Sequence, residues 1–262
     1  MIEIHSHLLP GIDDGPPDLA TALQMAQIYI NQDVDTVICT PHIDLQHYPD
    51  EQSLADSLAR IEQARSELTV ALAEQHIDLN LHIGAEIRLT ADLANTLKKY
   101  RDQFPLTLAG TSYLLIELPG WQSGNLNALD NLLFNIQLAG YTPILAHPEK
   151  TLTDSRLLLD ALALWVRHER LLLQVNASSL LNLNLPTREQ EDRHRLHQSI
   201  ARQLLDKKLV HFIASDAHHP QNRPPRNRQA WEVLAKQYSP ARADQLAKEN
   251  PATLLADQPI FL

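Results

Sequence analysis

The run Val210-His211-Phe212-Ile213-Ala214, followed at once by Ser215-Asp216-Ala217-His218, decides how this chain is read. A short apolar, partly β-branched segment ends in an acid and an imidazole, and a helical pattern follows it. The arrangement recurs six more times. Ile2-Glu3-Ile4 precedes His5-Ser6-His7, Thr36-Val37-Ile38-Cys39 precedes Pro41-His42, and Leu79-Asn80-Leu81-His82-Ile83 precedes Gly84-Ala85-Glu86. Tyr113-Leu114-Leu115-Ile116 precedes Glu117, Thr142-Pro143-Ile144-Leu145-Ala146 precedes His147, and Leu171-Leu172-Leu173-Gln174-Val175 precedes Asn176. Several of the seven runs are continuously apolar, the pattern of parallel strands covered on both faces. Helical patterns lie near 18–32, 51–76, 123–140, 154–169, 186–208, 226–237 and 240–248. Pro17 or Asp18, and Asp154 or Ser155, are start signals for two of them. Parallel strands need crossover helices, so the alternation predicts an α/β fold with one barrel domain over 1–262.

Composition narrows the function. The 262 residues are 44% hydrophobic and 21% charged, ordinary for a globular chain with one sizeable core and incompatible with a disordered or collagen-like one. The apolar runs fall far short of the roughly 20 residues of a membrane helix. The opening Met1-Ile2-Glu3-Ile4-His5 has no basic n-region, so a soluble, cytoplasmic protein without membrane insertion is expected. A single cysteine, Cys39, forms no internal disulfide and no Cys-rich zinc site. A net charge of −10 argues against nucleic acid as a partner, because phosphate neutralisation needs a basic face. Histidine is the outlier, with 13 residues, several of them beside carboxylates.

In a parallel barrel the C-terminal strand ends meet at one mouth, where sites are built. His5, His7, His42, His147 and His218 would converge there with Glu86, Glu117 and Asp216. Without cations such carboxylates would repel one another and raise their own pKa values; divalent ions turn the cluster into bound charge. Each element also has a plain structural reading. Alternate residues on any strand share a face, so His5-x-His7 alone is weak. Glu117 could end a strand in solvent, Asp216 could cap a turn, and His147 could be a hydrogen-bonded core histidine. The joint pattern favours a multinuclear metal centre, since six of seven strand ends supply acid or imidazole. Mixed N and O donors without thiolate suit Mn, Fe or Zn.

These motifs carry a resemblance. Met-Ile-Glu-Ile-His-Ser-His-Leu-Leu-Pro-Gly-Ile-Asp-Asp-Gly-Pro at the start, Cys-Thr-Pro-His at 39–42, Gly-Ala-Glu-Ile at 84–87, Ala-His-Pro-Glu at 146–149, Gln-Val-Asn-Ala at 174–177 and Ala-Ser-Asp-Ala-His at 214–218 resemble the PHP (polymerase and histidinol phosphatase) superfamily. The opening segment and Asn222-Arg223-Pro224-Pro225 are similar to its bacterial tyrosine-protein phosphatase branch, associated with capsule and exopolysaccharide biosynthesis and a tyrosine autokinase. The resemblance runs from residue 1 to Leu255. It implies a distorted TIM-like barrel of seven β/α units and three divalent metal ions, Mn first, with Fe or Zn as alternatives. His5, His7, Glu86 and Asp216 would hold one ion. Glu86 would bridge to a second completed by Glu117 and His147, and Asp14, His42 and His218 would hold the third. Asp14 lies in Asp13-Asp14-Gly15, a common turn string, and Asp13 remains a substitute or a partner behind the ligands.

The implied reaction is hydrolysis of phosphotyrosine by attack of a metal-bound hydroxide on phosphorus. The leaving phenolate has a conjugate acid of pKa about 10, which lowers the demand for a general acid. Arg223 would reach back from the loop after the seventh strand to the phosphoryl oxygens, or else be a solvated loop residue beside Arg226 and Arg228. After His-Pro-Glu the branch usually carries arginine; here Lys150 supplies charge without the bidentate fork, which leaves its contact with phosphate open. Ile43 stands where a second histidine often follows Pro-His. The implied partner is the phosphotyrosyl tail of a bacterial tyrosine autokinase, which short loops at the mouth would admit. Two alternatives stay open: a phosphoesterase for a small substrate such as histidinol phosphate, and a non-catalytic partner-binding module. An amidohydrolase is disfavoured because strand four ends in Glu117 and not in lysine. A cysteine-dependent phosphatase loop needs arginine six positions after the cysteine, where this chain has Leu45, and Cys39 lies in an apolar run.

Overall fold

A computed structural model of the chain describes residues 1–48, 50–100, 106–118, 126–152 and 156–261. The described elements run β1 (Ile2–Ser6), α1 (Leu19–Ile30), β2 (Thr36–Cys39), β3 (His42–Ile43), α2 (Glu51–Glu74), β4 (Asn80–Ile83), β5 (Glu86–Arg88), α3 (Leu93–Tyr100), β6 (Tyr113–Glu117), α4 (Leu126–Leu138), β7 (Thr142–Leu145) and α5 (Pro148–Thr151). They continue with α6 (Arg156–Arg167), β8 (Leu172–Asn176), α7 (Arg188–Asp206), β9 (Phe212–Ala214), α8 (Asn227–Gln237), α9 (Pro240–Asp244) and α10 (Asn250–Leu255). All seven expected runs are strands. Two further pieces, β3 and β5, continue the second and third runs after a break. The short helices α3 and α5 were not visible in the hydrophobic pattern. The expected helix start at Asp154 or Ser155 lies outside the described residues.

Among the described residues every strand pair is parallel. One sheet has the order β1-β2-β4 and the other β3-β5-β6-β7-β8-β9. The break that separates β2 from β3 and β4 from β5 is bridged by Gly84 N donating to Cys39 O at 2.8 Å and Glu86 N to Pro41 O at 3.1 Å. On the other side, Asp216 N donates to His5 O at 2.9 Å and His7 N to Ala217 O at 3.0 Å, which carries β9 back to β1. The curled sheet is thus a distorted parallel barrel with seven strand positions.

Alternation along the strands explains why the mouth is polar. Ile4, Ile38, Leu115, Ile144, Leu172 and Phe212 form one buried cluster, which Leu254 and Ile260 complete. Burial of each such side chain contributes roughly 1.5–3 kcal/mol. A separate, larger cluster fills the layer between strands and helices and includes Cys39, Leu114, Leu173 and Leu204. Side chains two residues apart share a face. From the inner cluster, Leu115 therefore leads to Glu117, Leu172 to Gln174 and Asn176, and Phe212 to Ala214 and Asp216. The same face changes from apolar to ionisable within one strand. Asp18 caps α1, its side chain accepting from Thr21 N at 2.8 Å.

Candidate metal centre

Five donors from distant parts of the chain meet around Glu86, which is buried at the start of β5. Its Oε2 lies 3.2 Å from His5 Nε2, 3.3 Å from His7 Nε2 and 3.0 Å from His42 Nδ1, and its Oε1 lies 2.9 Å from His147 Nε2. Asp216 Oδ1 closes the group at 3.5 Å from both His5 Nε2 and His7 Nε2, which are 3.4 Å from each other. Four ligand atoms held tetrahedrally about 2.1 Å from a cation lie about 3.4 Å apart. The separations among these atoms match that figure. Glu86 Oε2 is buried and has no hydrogen-bond partner, although three ring nitrogens lie close. That orphaned oxygen is the observation that fits a cation to this donor set.

Three of the imidazoles are turned by partners behind them. His5 Nδ1 donates to Gln174 Oε1 at 3.0 Å, His7 Nδ1 to Asp13 Oδ2 at 2.6 Å and His218 Nδ1 to the Asp216 carbonyl at 3.0 Å. In each ring this leaves Nε2 as the nitrogen that faces the cluster and that a cation would take, the arrangement expected of metal-binding histidine. His218 Nε2 is itself buried without a hydrogen-bond partner and lies 3.2 Å from Asp14 Oδ1.

The acid-base balance follows from these neighbours. Burial pushes the Glu86 carboxyl up, but the imidazoles of His5, His147 and His42 outweigh it and hold the group well below the usual range. Asp216 behaves alike: burial opposes its charge, and Lys150 and His5 keep it ionised. Burial pushes His7 down, yet Asp13, Asp216 and Glu86 raise it well above the ordinary imidazole value. His218, buried and beside His7, is pushed down to about 3.

The expected residues are brought together in three groups. His5, His7, Glu86 and Asp216 form one, His7, Asp14, His42 and His218 a second, and His42, Glu86 and Glu117 a third, with ligand atoms within 4.8 Å in each. Glu86 is common to two groups. His147, expected beside Glu117, lies closer to Glu86, with its Nε2 3.9 Å from Glu117 Oε1. Asp13 and Asp14 take different places: Asp13 stands behind His7, while Asp14 faces His42 and His218. Gly15 permits this turn, because a Cβ there would overlap the His7 carbonyl oxygen.

Two strand-end residues adopt left-handed backbone conformations, His147 at φ 30° and Asp216 at φ 51°. Such residues typically cost 1–3 kcal/mol and cluster at functional sites. The Asp216 turn is clamped from below by Glu3, a buried carboxylate that accepts from His5 N and Ser215 N, both at 2.8 Å.

Lys150 Nζ lies 2.5 Å and Arg223 Nη2 2.9 Å from Asp216 Oδ2, so both expected cations point into the mouth. The cluster is buried on one side and open on the other. The side chains of His5 and Glu86 are 0% exposed, whereas those of Lys150, His42, Arg223 and Asp14 are 30%, 41%, 44% and 62% exposed. Sequence reasoning missed Gln174, Asn176 and Glu149, three buried polar residues behind the cluster. Their signal was present: Gln174 and Asn176 are two polar residues at a spacing of two in an otherwise apolar strand.

The chain matches the family described as "Capsular polysaccharide synthesis, CpsB/CapC" over residues 1–256. It is 30% identical over 263 aligned positions to the tyrosine-protein phosphatase YwqE of Bacillus subtilis, covering 100% of this chain and 94% of that protein. One of the crystal structures of YwqE from Bacillus subtilis and CpsB from Streptococcus pneumoniae, described as unique metal-dependent tyrosine phosphatases, superposes with a TM-score of 0.80 at 30% identity. That match covers 100% of this chain and 96% of the other. A putative histidinol phosphatase from Listeria monocytogenes shares the fold at a TM-score of 0.50 and 13% identity, covering 91% of this chain and 100% of that one.

Proposed function

The chain belongs to the CpsB/CapC family of capsular polysaccharide synthesis, and from that premise we propose that it is a metal-dependent tyrosine-protein phosphatase. The observation that carries this reading is the buried His5, His7, Glu86 and Asp216 set, whose ligand atoms stand at the separations of a coordination shell. We assign His5, His7, Glu86 and Asp216 to one divalent ion, Glu86, Glu117 and His147 to a second, and Asp14, His42 and His218 to a third, with Mn as the first candidate and Fe or Zn as alternatives. When bound, such ions supply a nucleophile from water at neutral pH and charge for the phosphoryl oxygens.

The chain's own residues do the rest. Arg223 has donors to spare beyond its contact with Asp216, and a guanidinium can grip two phosphoryl oxygens at once. Lys150 adds a point charge on the same side of Asp216. His42, Arg223 and Asp14 are open to solvent, so a phosphotyrosine on another protein can reach the site. Long-range repulsion between a chain of net charge −10 and an acidic phosphopeptide is screened within about 8 Å at physiological ionic strength. The substrate we propose is the phosphotyrosyl tail of a bacterial tyrosine autokinase, met in the cytoplasm. Among the described residues, no helix is long and apolar enough to cross a membrane.

Kinetics test the substrate class. Flexible phosphotyrosyl peptides are expected to be hydrolysed with higher kcat/KM than phosphoserine peptides or histidinol phosphate, because the phenolate leaves more readily. A tenfold or greater preference for histidinol phosphate would assign the chain to small-molecule metabolism.

Cys39 takes no part. It is buried in β2, and burial pushes its thiol up to about 12, so no thiolate is present at neutral pH. Cys39→Ala should leave kcat nearly unchanged and cost about 1 kcal/mol of stability, read by denaturant unfolding. Loss of all turnover in a folded, metal-loaded variant would restore a cysteine mechanism.

A further inference from the structure

Strand β8 contributes none of the candidate ligands, yet two of its side chains touch three residues that do. Gln174 Oε1 accepts from His5 Nδ1 at 3.0 Å and from the backbone N of His147 at 3.2 Å. Gln174 Nε2 donates to Asn176 Oδ1 at 2.8 Å, and Asn176 Nδ2 donates to Asp216 Oδ2 at 2.7 Å. Both side chains are buried. We propose that Gln174 and Asn176 form a positioning relay for the metal centre, setting the tautomer of His5, the place of His147 and the choice of oxygen that Asp216 offers. The proposal rests on the metal-dependent reading above.

The direction of the relay is fixed by one group. A backbone N–H only donates, so the His147 amide requires an oxygen from Gln174. That oxygen then accepts from His5 Nδ1, which must carry the proton, and His5 Nε2 is left with its lone pair towards Glu86 and Asp216. With its oxygen committed, Gln174 has only its amide nitrogen for Asn176, and Asn176 in turn has only its own nitrogen for Asp216. Asp216 Oδ2 is thereby occupied, and Oδ1 faces His5 and His7. The relay is anchored from outside, since Asn176 N donates to the buried Glu149 Oε1 at 2.9 Å. Gln174 also ties down the left-handed His147, and Asn176 ties down the left-handed Asp216.

Binding of Mn2+ to the metal-free chain tests this, with free Mn2+ read by electron paramagnetic resonance. Gln174→Met keeps the volume and removes every polar contact; Gln174→Glu keeps the acceptor that faces His5 Nδ1–H and His147 N. We expect Gln174→Met to weaken Mn2+ binding by about 10- to 100-fold, the usual effect of losing a partner behind a ligand. Gln174→Glu keeps the acceptor for His5 and His147 but turns an oxygen in place of Nε2 towards Asn176 Oδ1, so it should recover only part of that loss, and kcat of the Met variant at saturating Mn2+ should recover more than its activity at limiting Mn2+. A purely packing role would lower the unfolding midpoint of the metal-free Met variant and leave its Mn2+ affinity unchanged. Wild-type affinity in Gln174→Met would overturn the relay, and so would wild-type affinity in Asn176→Leu, which removes the donor to Asp216 Oδ2. If Gln174→Met does not fold, the Asn176→Leu result alone decides. Failure of the wild-type chain to bind Mn2+, Fe2+ and Zn2+ alike would instead remove the metal-dependent reading, and the relay with it.

Discussion

Glu86→Gln is expected to lower kcat/KM by at least about 10³-fold, because losing a partner behind a ligand already costs 10- to 100-fold and Glu86 stands among the candidate ligands themselves. Glutamine keeps the shape of the side chain and removes its charge. Four imidazoles, those of His5, His7, His42 and His147, then lose the one carboxylate they share. Chelation of the wild-type chain should give the same loss, reversed by Mn2+ in the wild type and not in the variant. Metal analysis should show at least one ion missing from Glu86→Gln. Full turnover by wild-type protein verified as metal-free would end the metal mechanism.

A proton accompanies this effect. In the metal-free chain, burial opposes charge on His7, but Asp13, Asp216 and Glu86 raise its pKa well above the ordinary imidazole value, so it holds a proton to higher pH than a free imidazole does. A cation must displace that proton, so affinity for metal rises with pH until the raised pKa is passed. For the metal-free fold the sign is opposite. The stabilisation from His7 is complete below the unfolded imidazole pKa of about 6.5 and is lost as pH rises through the raised folded value. Heats of Mn2+ binding in buffers of different ionisation enthalpy measure the proton release directly.

Arg223→Ala is expected to lower kcat/KM by about 10²-fold, equivalent to roughly 3 kcal/mol of transition-state stabilisation, while the metals stay bound. The reason for the separation lies at Asp216. Its Oδ2 is contacted by Lys150 and Asn176 as well as by Arg223, so the carboxylate keeps its place when the guanidinium is removed. What is lost is a partly exposed, planar cation beside the cluster. Arg223→Lys should recover only part of the loss, since lysine lacks the fork. Unchanged kinetics in Arg223→Ala, with wild-type metal content, would make this arginine a structural partner of Asp216 and nothing more.

Much of the fold was written locally. Short apolar runs and the helical patterns between them specify parallel strands with crossovers, because side-chain periodicity is a property of each segment alone. The breaks after Cys39 and Ile83, which add β3 and β5, were hidden: they leave no trace in hydrophobicity, and the register runs through them unchanged, with Cys39 paired to Ile83 before the break and His42 to Glu86 after it. The short helix α5 was hidden too. Four residues after the left-handed His147 are too few to show a period.

The order of apolar runs along the chain already says which residues follow each strand, and therefore that His5, His7, His42, Glu86, Glu117, His147, Asp216 and His218 would share one mouth. Residue type and strand position are enough for that, because parallel strands all end on the same side. Long-range packing is what turns Asp14 rather than Asp13 towards His42 and His218, leans His147 on Glu86, and sets Gln174 and Asn176 behind His5 and Asp216. Those outcomes depend on which ring nitrogen or carboxylate oxygen is already taken by a neighbour. The neighbours are far away in the chain, as Gln174 is from His5, and a hydrogen bond is fixed to a few tenths of an ångström by contacts that no local pattern records.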